Sequence, residues 1–109
     1  MTAQGNDPGA SIQSATSFTD TNGVFSNNDD HGLLLVDISG NVSLTGTKLE
    51  DNDADNNNVG NGLLAQDGSD ADTVAIGGNL TLTSVTSRDS DGATATKHQV
   101  SGIVASIGG

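Results

Sequence analysis

Gly40-Asn41-Val42-Ser43-Leu44-Thr45 and Gly78-Asn79-Leu80-Thr81-Leu82-Thr83 are one six-residue phrase written twice. In each copy aliphatic residues alternate with hydroxyl residues. Val42 and Leu44, like Leu80 and Leu82, therefore share one side of an extended chain, while Ser43, Thr45, Thr81 and Thr83 share the other. Two further elements keep a constant order around this phrase. One set is Gly32-Leu33-Leu34-Leu35, Gly62-Leu63-Leu64-Ala65 and Gly102-Ile103-Val104-Ala105; the other is Ile38-Ser39-Gly40, Ile76-Gly77-Gly78 and Ile107-Gly108-Gly109. Three elements recurring in one order form an internal repeat.

The repeat predicts an all-β chain, a parallel β-solenoid of about three coils with about 30 residues per coil. Spacing sets the frame. Ile12 to Gly32 and Val42 to Gly62 are both 20 residues, and Leu80 to Gly102 is 22. Gly40 and Gly78 are 38 apart and Gly78 and Gly108 are 30 apart, so eight extra residues fall around Asp67–Asp72, as a protruding turn would place them. The coils read as 10–39, 40–77 and 78–109, with 1–9 as a leader or inter-subunit segment. Stacking then aligns Ile12/Val42/Leu80, Leu33/Leu63/Ile103, Leu35/Ala65/Ala105 and Ile38/Ile76/Ile107 as inward columns, with Asn41 over Asn79 as an internal amide ladder. Helix is disfavoured throughout, because Gly, Asn, Ser, Thr and Val dominate and no stripe at helical spacing persists.

The GN-(V/L)-(S/T)-L-T strand, the Asn/Asp-rich turn and the G-(L/I)-(L/V)-(L/A) strand resemble right-handed parallel β-helix repeat proteins, of the pectate-lyase-like and adhesin type. The resemblance covers residues 10–109. It implies the fold, and it carries no catalytic set with it, because these motifs are generic to the architecture.

Charge and composition narrow the function. Three basic residues against fourteen acidic ones leave a net charge of −11, which opposes binding to nucleic acid or to an anionic membrane. The chain has no Cys, so disulfides and thiolate metal sites are absent. The longest apolar run, Leu33-Leu34-Leu35-Val36, is far short of a membrane span, and the first residues lack the basic and apolar regions of a signal peptide. His31 and His98 are not at metal-ligand spacing, and there is no G-x-S-x-G elbow. Lys48, Arg88 and Lys97, the only basic residues, do not assemble a lyase-type groove. An enzyme is not expected.

What the sequence offers instead is a structural role. No polar cap closes the repeat, and uncovered coils are templates for pairing with another copy. Head-to-tail stacking into an extracellular filament or surface fibre, a homopolymer, is the leading expectation. The alternatives are a segment of a large bacterial adhesin and a weak calcium-binding surface protein. Calcium is the one candidate cofactor: Asp51, Asp53 and Asp55 match the first half of a D-x-D-x-D loop, although Asn56 replaces the usual Gly and Gly62 stands where a bidentate Glu belongs. The competing explanation is that Asp and Asn simply suit solvated bends. Asn41-Val42-Ser43 and Asn79-Leu80-Thr81 fit the N-glycosylation pattern, but an internal ladder would leave neither amide for a sugar. Outward threonines at Thr45, Thr47, Thr81 and Thr83 are similar to the arrays of ice-binding solenoids, while the first coil offers only Thr16 and Thr19, out of register.

Overall fold

A computed structural model describes residues 1–52, 61–66 and 75–88, and the backbone of 103–105. In these residues the chain is an all-β parallel solenoid. Its strands are β1 (Thr2–Gln4), β2 (Ala10–Gln13), β3 (Phe18–Thr21), β4 (Val24–Ser26), β5 (Leu33–Val36), β6 (Val42–Thr45), β7 (Lys48–Glu50), β8 (Leu63–Gln66), β9 (Leu80–Thr83), β10 (Thr86–Arg88) and β11 (Ile103–Ala105). Every third strand lies on the one before it. Sheet I is β1-β4-β7-β10, sheet II is β2-β5-β8-β11 and sheet III is β3-β6-β9, and each pairing is parallel.

Strands this short hold together because most contribute one or two apolar residues to a column running along the stack. Leu33 pairs with Leu63, which pairs with Ile103, and Leu35 pairs with Ala65, which pairs with Ala105, as the repeat predicts. Ile38 bridges Ile76, and both are buried; Ile107 lies outside the described residues. Phe25, Leu33, Leu35, Val42, Leu44, Leu49 and Leu63 are fully buried and join these isoleucines in one core.

The register corrects the expected frame at its N-terminal side. Ile12 pairs with Leu35, not with Val42; the residue on Val42 is Phe18. Residues 1–9 are not a leader, because β1 forms the first rung of sheet I against β4. The segment 10–39 contains β2 to β5, four strands where one coil holds three. The true turns start at β1, β4 and β7, and β10 and β11 belong to a fourth. Thr2 to Val24 is 22 residues and Val24 to Lys48 is 24, shorter than the expected 30.

The misleading feature was the pair of equal 20-residue spacings. The equivalent of Val42–Gly62 is Phe18–Gly32, only 14 residues, so the later coil is six longer (20 − 14) in the stretch that contains residues 53–60. The other enlargement falls where predicted. Val36 to Ile38 is two positions and Gln66 to Ile76 is ten, a difference of eight, between β8 and the Ile38–Ile76 bridge. Strands stay constant and corners absorb the length changes, because a corner residue has no ladder to keep.

Candidate functional site

The corners follow one rule. Eight described residues have positive φ: Gly5, Ser14, Asn22, Asn27, Asp37, Gly46, Asp51 and Ser84. Each directly follows a strand. Gly5, Asn27 and Asp51 stack at the exit of sheet I; Ser14 and Asp37 stack at the exit of sheet II; Asn22, Gly46 and Ser84 stack at the exit of sheet III. A single left-handed residue turns the chain off one face and toward the next, and Gly, Asn and Asp tolerate that conformation best.

This rule accounts for Asp51, the first of the proposed calcium ligands. It is an exposed corner residue with φ of 52°, whose N–H donates to the Arg88 carbonyl at 3.1 Å. Asp53 and Asp55 lie outside the described residues, as do Asp89 and Asp91. Among the described residues no three His, Cys, Asp or Glu side chains converge as metal ligands do. Asp29 is exposed and its N–H donates to the Asn6 carbonyl at 2.8 Å. His31 is buried, at 7% exposure. Its Nδ1 accepts the Asn61 backbone N–H at 3.1 Å, which leaves the ring proton on Nε2, 3.4 Å from Asp30 Oδ1. This imidazole ties one coil to the next. His98 lies outside the described residues.

The amide ladder exists, but not at Asn41 and Asn79. Both of those side chains are exposed, and their contact is a single bond from the Asn79 N–H to Asn41 Oδ1 at 2.8 Å. The buried ladder is Asn28 over Asn52, two residues beyond the ends of β4 and β7, with both side chains fully covered. Asn28 Nδ2 donates to the Ala3 carbonyl at 3.2 Å and to Asn52 Oδ1 at 2.8 Å, and Asn52 Nδ2 donates to the Phe25 carbonyl at 3.1 Å. Asn6, at the same place in the first coil, donates its N–H to Asn28 Oδ1 at 3.1 Å. Each rung thereby ties its amide to the backbone of the coil before it. The ladder also explains the glycines that open β2 and β5. A Cβ on Gly9 would collide with Asn28, and one on Gly32 would collide with Asn52.

A second buried polar group sits in sheet III. Asp20 occupies the inward position that Leu44 and Leu82 hold in the next two coils, and it is only 6% exposed. Its Oδ2 accepts the Gly23 N–H at 2.9 Å and the Thr47 hydroxyl at 2.6 Å, so the carboxylate is supplied with donors. Thr47 is therefore fully buried rather than part of an outer array.

The outer face of sheet III is where the structure adds most. Thr19 pairs with Ser43, which pairs with Thr81, and Thr21 pairs with Thr45, which pairs with Thr83. All six outward positions of that sheet carry a hydroxyl, in a chain of net charge −11. Two straight columns result, with rungs about 4.8 Å apart and neighbours within a strand about 6.6 Å apart. The first coil, expected to be out of register, contributes Thr19 and Thr21 in register. Sheet I, by contrast, mixes charges outward, including an Arg88–Glu50 ion pair at 3.1 Å. No protein family, curated protein or solved structure matches the chain.

Proposed function

We propose that this solenoid is a structural subunit that lengthens head-to-tail, coil on coil, into an extracellular filament or surface fibre. The observation that carries the reading is Leu82. It ends the inward column begun by Asp20 and Leu44, yet it is 42% exposed while Leu44, one rung inside, is fully buried. Leu80 beside it is half-buried, and among the described residues no strand follows β9 in sheet III. At the other end Ala3, Ala10, Ile12 and Phe18 face inward and are only partly covered. Among the described residues both ends thus present aliphatic surface framed by strand edges with no further neighbour, which another parallel coil would cover. Different surfaces meet in such a contact, so it propagates as an open fibre.

Electron microscopy and light scattering on the purified chain test this. Unbranched filaments with a meridional spacing of about 4.8 Å are expected, and Leu82→Lys should abolish them while leaving the circular dichroism spectrum intact. A folded chain that stays monomeric at every concentration overturns the proposal; that is also the result expected if further coils of one longer polypeptide cover these ends, as in an adhesin.

The hydroxyl face favours a second reading. A flat, uncharged, regularly spaced array of hydroxyl and methyl groups suits an ordered lattice of water better than a flexible solute. Thermal hysteresis of the folded protein, lost in Thr45→Lys at the centre of the array, is the expected result; its absence in the unmodified chain ends this reading.

A further inference from the structure

Asn41-Val42-Ser43 and Asn79-Leu80-Thr81 share the N-x-[ST] pattern. They sit one rung apart at the entry to sheet III, with both asparagine side chains exposed and outside the buried ladder. We infer that Asn79 is an acceptor site for an N-linked sugar and that Asn41, despite the same motif, is not its equal. The reaction joins Asn79 Nδ2 to the anomeric carbon of a sugar carried on a diphosphate donor. The new C–N bond replaces the C–O bond to the diphosphate, which leaves with the electron pair, and Nδ2 gives up one proton to the transferase.

That chemistry needs an accessible amide and a hydroxyl residue two positions on that the transferase can grip along an extended segment. Asn79 and Thr81 meet both needs. Both are exposed, and alternation puts them on the same side of the chain. The difference from Asn41 lies in the hydrogen bonding. β6, which follows Asn41, is paired on both edges, with β3 and β9. The Asn41 side chain is itself engaged through Oδ1 by the Asn79 N–H at 2.8 Å, and its carbonyl accepts the Phe18 N–H at 3.1 Å. Presenting Asn41 to an enzyme means opening the middle of the stack. β9 pairs with β6 alone among the described residues, so Asn79–Thr81 lies along an outer edge and opens with fewer bonds broken.

The experiment uses the folded, purified full chain kept monomeric by dilution, as light scattering verifies, with a nucleotide-activated hexose and a soluble N-glycosyltransferase chosen because it modifies a free peptide of residues 76–85. Intact-mass time courses with peptide mapping should show one hexose added first, at Asn79. Asn79→Gln and Thr81→Ala should each remove that early product, whereas Asn41→Gln should retain it, with circular dichroism unchanged in all three. The inference is overturned if the folded chain stays unmodified under conditions that modify the peptide, or if Asn41 is modified as fast as Asn79.

Discussion

At the scale of single residues, stability in this chain depends on polar groups as much as on aliphatic ones. Asn28 and Asn52 each donate to a backbone carbonyl of the coil before, those of Ala3 and Phe25, and they do so with no exposure to water. Removing one side chain strands its partners in a dry corner, at a cost of about 1–3 kcal/mol for each buried group left unsatisfied. Asn28→Ala is therefore expected to lower the urea midpoint clearly, while Asn41→Ala, at an exposed position in the same kind of sequence, should move it little. Equal effects of the two would contradict the assignment of the ladder. Asp20 makes a related case. Thr47→Val keeps the volume but takes away the 2.6 Å hydroxyl donor from a buried carboxylate. A loss of about 1.5–3 kcal/mol is expected from the charged hydrogen bond, read by the same denaturation, with Asp20→Asn in the Thr47→Val background recovering part of it.

At the scale of elements, the strand, the left-handed corner and the glycine behave as one unit. A strand of three or four residues ends, a residue of positive φ redirects the chain, and β2 and β5 open on Gly9 and Gly32 because Asn28 and Asn52 lie against them. Gly32→Ala should destabilise by about 1–3 kcal/mol through overpacking against Asn52 and the Gly62 carbonyl. The double change Gly32→Ala with Asn52→Ala should cost less than the sum of the single changes, since the collision disappears with the amide; additive values would argue against direct contact. Corner length is a separate variable. Val36-Asp37-Ile38 crosses with one residue what Gln66 to Ile76 crosses with nine. Deleting residues 68–75 leaves Gln66-Asp67-Ile76, a copy of the short crossing in which the Asp67 carbonyl takes the place of Ala75's toward the Ile38 N–H and the buried Ala75 methyl is lost. The shortened chain should fold, with a urea m-value near that of the parent and a stability change within about 2 kcal/mol, because loop length enters stability only logarithmically. An unfolded product would show that this segment carries contacts of its own.

For the whole molecule, the dominant long-range force is self-repulsion from a net charge of −11. The apolar core is built from few side chains and Phe25 is its only buried ring, so this repulsion acts on a modest reserve. Raising sodium chloride from about 10 mM to about 150 mM shortens the screening length from about 30 Å to about 8 Å. The melting temperature should rise over that range, and end-to-end association, where two acidic copies meet, should strengthen with it. Scanning calorimetry and sedimentation at the two salt concentrations check both; a melting temperature that falls with salt would mean attractive ion pairs outweigh the repulsion.

The sequence alone determined that the chain is a parallel β-solenoid, because a period-two alternation such as Val42-Ser43-Leu44-Thr45, repeated with glycine and aliphatic partners in constant order, has no other way to bury its aliphatic residues. It also placed the Leu33/Leu63/Ile103 and Leu35/Ala65/Ala105 columns and the eight-residue enlargement. The first copy of the sheet III strand stayed hidden. Phe18-Thr19-Asp20-Thr21 reads as polar, since Asp20 fills an inward position that the Thr47 hydroxyl, the Gly23 N–H and the Met1 ammonium make tolerable. Sheet I was hidden for another reason: Ala3, Phe25, Leu49 and Ser87 are single inward residues on three-residue strands, too short to display a period. With those strands unseen, the buried ladder at Asn28 and Asn52 and the in-register hydroxyl face could not be located. Which asparagine is buried and which threonine faces water depends on what the neighbouring coil places one rung away, 22 to 40 residues distant in the chain. Local alternation carries no information about that partner, and only the stacked structure decided it.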